Sequence, residues 1–187
     1  MATSEESELV HRPAQEVAKR VLALIAVVDK AQNQSTDELT RWVSKHKIAE
    51  YFSPKEADFF KRSAPSQDEV ANQSWRAEAL VPLVWALGLI DELPPLNIQI
   101  SWANIPALNL ICKDPEAFIK RASLRPKKDL DRAEEDLYHQ HWRVRDAQLH
   151  RKQMPEELDP GIVYERRYAS SWLVGWGDDW DNVATDT

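Results

Sequence analysis

The sequence predicts an all-α protein: a single compact domain of six or seven helices with a docked acidic C-terminal tail. Three observations predict it. Glycine is scarce, with 4 Gly against 11 Pro in 187 residues, too few for the tight positive-φ turns of a β-sandwich or barrel. Apolar residues recur at helical spacing along most of the chain. Helix-opening signals stand in front of those periodic stretches. The length is that of one domain and suffices to bury a core without staples.

Residues 1–12 read as an N-terminal tail and 13–187 as the helical domain. Pro13 suits a first helical turn, and Ala14, Val17, Ala18, Val21, Leu22, Ile25 and Val28 mark a core helix to about Ala31. Three S-x-x-E boxes follow, beginning at Ser35, Ser53 and Ser66. In each, the serine oxygen accepts a first-turn amide and the glutamate reaches back. They place helices near 36–47, 54–63 and 67–90. Pro82 lies inside the last and predicts a kink or break near Val81. Leu93-Pro94-Pro95 ends that element. Ile98, Ile100 and Trp102 alternate, but a lone strand has no partner, so 96–112 reads as an extended, buried connection. Asp114-Pro115 opens a short helix. A long charged helix then runs from about Lys127 to Lys152, with Leu130, Ala133, Leu137, His141, Val144 and Gln148 inward. Asp159-Pro160 opens a last helix, about 160–174, with Ile162, Val163, Tyr168, Ala169, Trp172 and Leu173 inward.

Composition excludes several function classes. The formal net charge is −7, opposite to the surplus that phosphate backbones require, so no nucleic-acid partner is expected. The four glycines form neither GxGxxG nor GxxxxGK, which removes the dinucleotide and phosphate-loop readings. Cys112 is the lone cysteine, so no disulfide framework or Cys-rich zinc site is expected. The longest apolar run, Val21 to Val28, is too short to span a bilayer. The N-terminus has no secretory pattern. A cytoplasmic protein without membrane, metal or cofactor is the expectation.

Four motifs stand in order along the chain: Trp75-Arg76-Ala77-Glu78-Ala79-Leu80 with Trp85-Ala86-Leu87-Gly88-Leu89; Tyr138-x-x-His141-Trp142-x-x-Arg145-Asp146-Ala147; Glu165-Arg166-x-x-Ala169-x-x-Trp172-Leu173; and Trp180-Asp181-x-Val183-x-Thr185-Asp186-Thr187. Together they resemble the bacterial family catalogued as domain of unknown function 4272, over roughly residues 12–187. Pro82 stands where that family more often has Leu, and Arg167-Tyr168 where it often has His and Arg. The resemblance implies a fold and no activity.

The candidate site residues come from these motifs. The 113–152 stretch carries eleven basic and eight acidic side chains, whereas 153–187 carries two and eight. The tail is therefore expected to dock, with Trp180 and Val183 in an apolar groove and its aspartates on Arg143, Arg145, Arg166 or Arg167. Arginine's planar fork suits carboxylates. The candidate binding surface is the junction of the 127–152 helix, the 160–174 helix and the tail: His141, Trp142, Arg145, Asp146, Glu165, Arg166, Trp172, Trp180, Asp181 and Asp186. No catalytic dyad stands out. Asp136-x-x-His139 with Glu135 is one partial metal motif without the second that a di-metal bundle needs. The leading reading is a non-enzymatic binding module for another protein, a basic one on charge grounds, of immunity type if it neutralises a cationic toxin. The alternative is a small-molecule binder or enzyme with a polar pocket around His141, Arg145 and Glu165, in which a buried His or Glu would titrate abnormally. Against both stands a purely structural role, since aromatic stripes at helical spacing are usually packing.

Overall fold

Helix α1 (Ala14–Asn33) is the centre of the molecule. Almost every residue from Val17 to Val28 is buried, as expected of a helix apolar around its circumference. The computed structural model describes residues 9–33 and 36–185. Among them are α2 (Asp37–Lys45), α3 (Pro54–Lys61), α4 (Gln67–Ala86), α5 (Ala107–Lys113), α6 (Pro115–Arg121), α7 (Lys127–Leu149) and α8 (Pro160–Val174), with 3-10 turns at Ile48–Tyr51 and Trp102–Asn104 and no strand. The described residues form one compact all-helical domain. α1 packs on α4, α4 on α8, and α8 on α7, while α2, α3 and α6 lie against α1. None of these helices is long and apolar enough to cross a membrane.

The opening signals act as their chemistry requires. Ser53 and Ser66 form complete capping boxes with Glu56 and Glu69. Asp114 accepts the Ala117 amide at 3.0 Å, and Asp159 accepts those of Gly161 and Ile162 at 2.8 and 3.0 Å. The cap of α2 is Thr36, which accepts the Leu39 amide; the box that begins at Ser35 lies outside the described residues.

Three expectations need correction, and of the two outcomes expected at Pro82 the break does not occur. The described residues form eight helices rather than six or seven, because α5 forms where an extended connection is expected. It has no side-chain cap, so no opening signal announces it, and its burial of Leu108 and Ile111 holds it in place. Within the same connection Ile98 is exposed rather than buried. α4 runs through Pro82 without a break. Packing by α1 on one side and α8 on the other holds the helix despite the lost hydrogen bond, as tertiary context can. Gln148 is exposed, and Ala147 takes its place inward on α7.

The two ends of the described chain meet over α8. The Arg12 amide donates to the Leu173 carbonyl at 2.9 Å, and its guanidinium reaches the carbonyls of Trp172, Gly177 and Asp178. Gly175 ends α8 at φ +103°, and a side chain there would meet the Val10 carbonyl at 2.5 Å. Both the left-handed cap and the close approach therefore require glycine. Beyond it, Trp180 is 5% exposed. Its indole meets Tyr168 and Trp172 edge-on at 5.4 and 5.3 Å, and the guanidinium groups of Arg20 and Arg76 lie 4.9 and 5.8 Å from its centre. The Tyr168 hydroxyl donates to the Trp180 carbonyl, and Val183 is buried beside it.

Candidate functional site

Two apolar helices carry opposite charges at their crossing. From α4 come Arg76 and Glu78; from α8 come Glu165 and Arg166. Arg76 meets Glu165 at 3.1 Å, and Arg166 meets Glu78 at 2.9 Å. Both partners of the second pair are almost fully enclosed, with Arg166 1% exposed. Buried ions are tolerated only when their remaining hydrogen-bonding atoms are also satisfied. Here the satisfying groups belong to one segment. Arg166 donates to the carbonyls of Pro94, Pro95 and Ile98, and Glu78 accepts the Ile100 amide at 2.7 Å. The backbone of 94–100 is thus held in place by the α4–α8 ion pair. Burial pushes the Glu165 carboxyl up, outweighing the pull of Arg76. Burial also pulls the Arg166 guanidinium down, against Glu78.

The fixed segment forms one wall of a groove of about 790 Å³. The opposite wall is α7, through Asp129, Arg132, Asp136 and Arg143. Trp85, Leu96, Ala133, Leu137 and Leu158 supply apolar lining between them. Arg125 closes one end by donating to the carbonyls of Trp85, Ile90 and Asp91, and its guanidinium lies 4.9 Å from the Trp85 ring centre. Three of the four arginines in the groove are therefore committed: Arg125 and Arg166 as described, and Arg143 to Glu157 at 2.7 Å. Arg132 is exposed. The carboxylates of Asp91, Glu92 and Asp136 are exposed and that of Asp129 is half-buried. No described ion pair neutralises them. The lining contains no Ser, Cys, His or Lys. Among the described residues no cluster of three or more His, Cys, Asp or Glu is placed to hold a metal ion.

The residues singled out from sequence disperse over the structure. α7 and α8 are antiparallel neighbours, since Glu134 pairs with Ser171 and His141 with Arg167. His141 is buried and its Nδ1 accepts from Arg167 at 2.6 Å. Burial, reinforced by the charges of Arg167 and Arg145, brings its imidazole down to about 4. Glu165 and Arg166 turn the other way, to α4. Trp142 is 54% exposed. Arg145 is exposed and donates to Gln148. Asp146 lies near the end of α7 with Lys152 and His150, and the lysine hydrogen bond is the first cause holding its carboxyl below the usual range. His141, Arg145 and Glu165 therefore do not converge on one pocket, because their side chains leave α7 and α8 in different directions. Trp172 and Trp180 belong to the core around α1. Of the described members of the set, Arg166 alone contributes to the groove.

The expected partners of Asp179 and Asp181 also need correction. Asp181 accepts the Lys55 amide at 3.0 Å, and its carbonyl faces the Lys55 ammonium. The chain passes the N-terminus of α3, where free amides favour a carboxylate. Asp179 instead caps its own turn through Asp181 and Asn182. Arg143, Arg145 and Arg166 have the other partners already described. Arg167 reaches the tail at the Thr185 carbonyl, and Asp186 lies outside the described residues.

Sequence reasoning missed Arg76, Glu78 and the 91–97 wall. A signal for the first two was present. A charged residue within an otherwise apolar helix needs a buried counter-charge, and the two helices that carry such residues offer opposite signs in matching order.

Comparison with protein families matches the model described as Domain of unknown function (DUF4272) over residues 1–183. No curated protein and no solved structure matches the chain.

Proposed function

The chain belongs to the DUF4272 family, whose description assigns no function, and we propose that it is a non-enzymatic binding module that seats a basic segment of another protein in the groove between α7 and residues 91–97. One observation carries the reading: a buried ion pair between α4 and α8 is committed to fixing the backbone of the groove's wall. A buried ion pair is a poor source of net stability compared with apolar packing, but it fixes geometry, and here the geometry fixed is that of a concave surface.

The groove's charges select the partner. Four carboxylates that no described ion pair neutralises surround an apolar floor, against one guanidinium, that of Arg132, without a partner among the described residues. They stand on both walls, and Asp129 and Asp136 are about 10 Å apart along α7 at about 1.5 Å per residue. That spread suits several cationic side chains on one segment better than a single charge on a small ligand. Apolar side chains of the partner supply the anchor, and the net charge of −7 accelerates encounter with a cationic protein. An immunity-type role, neutralising a basic toxin, is the form of this reading that uses the whole-molecule charge. The acidic tail docked through Trp180 supports the fold and leaves the groove open.

The test is selection of random peptides displayed on phage against the purified protein. Enriched peptides should combine Lys or Arg with Leu or aromatic residues. Their affinity should fall at least about tenfold when Asp129 and Asp136 are both changed to Lys, as expected for reversing rim charges at a recognition surface. Trp142→Ala should leave it unchanged. Absence of enrichment, enrichment of acidic peptides, or binding indifferent to the Asp129→Lys, Asp136→Lys variant would refute the proposal.

A further inference from the structure

The second motif contains three side chains that neither core nor groove uses. Tyr138 and Trp142 are 39% and 54% exposed, and Arg145 is exposed beside them. With Glu135 before them and Leu149, 78% exposed, after them, they recur at intervals of three and four residues. That interval lays them along one stripe of α7, the spacing of a helix-pairing seam. The groove residues Arg132, Asp136 and Arg143 lie on the opposite flank of the same helix. Tyr138 is backed by the Arg167 guanidinium at 4.7 Å from its ring centre. Tyr164, 39% exposed, extends the aromatic surface from α8, and its ring is 6.0 Å from that of His141.

We infer that this stripe pairs with itself, so that two copies of the chain associate through antiparallel α7 helices. The order of the residues makes the stripe self-complementary. In an antiparallel pair centred on Gln140, Tyr138 faces Trp142 of the second copy, and Trp142 faces its Tyr138. The same register sets Glu135 opposite Arg145 of the second copy, twice by symmetry. One register thus matches aromatic with aromatic and acid with base, as a two-fold interface demands, and leaves Leu149 at the end of the seam opposite Asp131, which His11 already engages at 2.6 Å. Exposed Trp and Tyr are the side chains that dominate association energies, and cross-pairing removes them from water. A single helix face buries less than the roughly 1,600 Å² of a standard interface, so the dimer is weak and reversible. The two grooves, on the far flanks, stay open in it, and a bivalent protein gains avidity for a partner that carries two basic segments.

Sedimentation velocity over a concentration series of the full chain tests this. The wild type should shift from monomer to dimer as concentration rises. Trp142→Glu should weaken association at least about tenfold, as loss of a central aromatic does. Glu135→Arg and Arg145→Glu should each weaken it several-fold, and the double variant Glu135→Arg, Arg145→Glu should return it to within about twofold of wild type, because opposite charges again face each other. All three sites are exposed, so thermal melts of the monomers should match and exclude misfolding as the cause. A chain that stays monomeric throughout, a dimer unaffected by Trp142→Glu, or a double charge swap no better than the single reversals would each overturn the inference. None of these outcomes bears on the peptide groove.

Discussion

Replacing Trp180 by Ala tests how far the closing segment holds the fold together. The side chain is enclosed by Tyr168, Trp172, Arg20 and Arg76. Truncating a buried large aromatic costs about 3–5 kcal/mol through lost transfer energy and the cavity left behind. Two edge-on ring contacts, each worth about 0.5–1.5 kcal/mol beyond the area buried, and two guanidinium groups deprived of a π-face place this site in the upper part of that range. At about 2–4 °C per kcal/mol for a domain of this size, the Tm should fall by about 10–15 °C. Removing residues 176–187 should lower it by several degrees or more. Trp142→Ala is the matched control: a surface tryptophan whose loss should change stability by no more than about 0.5 kcal/mol. Differential scanning calorimetry on the three variants supplies the comparison. A Trp180→Ala melt within about 2 °C of wild type would show that the segment beyond Gly175 merely lies on the core, and the wedge argument would fail.

Two further outcomes follow from the buried charges. Arg166→Met should cost about 3–5 kcal/mol, because Glu78 is left buried without its counter-ion. Adding Glu78→Gln should recover part of that loss, a coupling of at least about 1 kcal/mol in a double-mutant cycle, and hydrogen exchange at the Ile100 amide should rise in Arg166→Met as the wall loosens; additive losses with unchanged exchange would contradict the clamp. His141 should stay neutral in the folded protein through pH 5, read by NMR titration of its ring protons. Its folded value of about 4 lies below the ordinary 6.5, so the unfolded chain takes up the proton first, and stability is full above about 6.5 and lost as pH falls toward 4. The gap corresponds to roughly 3 kcal/mol at about 1.4 kcal/mol per unit. Glu165 and Glu134, both raised by burial, act with the opposite sign, so urea midpoints should be compared with those of His141→Gln; an imidazole that titrates near 6.5 would contradict the buried Arg167 contact.

Local signals carried much of the fold. Ser53, Ser66, Asp114 and Asp159 announce helices because one side-chain oxygen satisfies amides within three residues, and the sequence contains that whole interaction. The inward face of α8 was legible for the same reason: period and face are properties of a single helix. What escaped was non-local. Pro82 reads as a kink or a break because its cost is local, whereas the packing of α1 and α8 that keeps the helix continuous there is not. α5 has no cap, so only the burial of Leu108 and Ile111 holds it. The candidate site shows the same division. Glu165 and Arg166 stood out as unusual, but their partners Arg76 and Glu78 are nearly ninety residues away, and without them the pairs looked like pocket chemistry. Lys55 was invisible as the partner of Asp181 because its contribution is largely a backbone amide at a helix start, which no side-chain charge count reveals.

The dispersal of the motif residues changes what the motifs mean for function. If His141, Arg145 and Glu165 had opened into one cavity, their abnormal titration would have pointed to proton transfer. Instead burial and Arg167 hold the His141 imidazole down, and Glu165 is raised by burial beside Arg76, so each perturbation has a local structural cause, and neither residue lines the groove. Titration alone therefore marks burial here, and a site must be sought where burial has been used to shape a surface. Among the described residues only one of the buried pairs does so. Arg20 and Glu56, at 2.9 Å, lie among the elements around α1, and Arg20 also donates to the Tyr51 carbonyl; these contacts join helices. Arg166 and Glu78 instead direct four hydrogen bonds to the backbone of 94–100, a segment without regular structure whose amides and carbonyls would otherwise take them from water. Water would have satisfied those groups equally well but would have left the segment free to move. The difference between the two arrangements is a fixed groove wall, and on that wall the proposed seat for a basic protein segment depends.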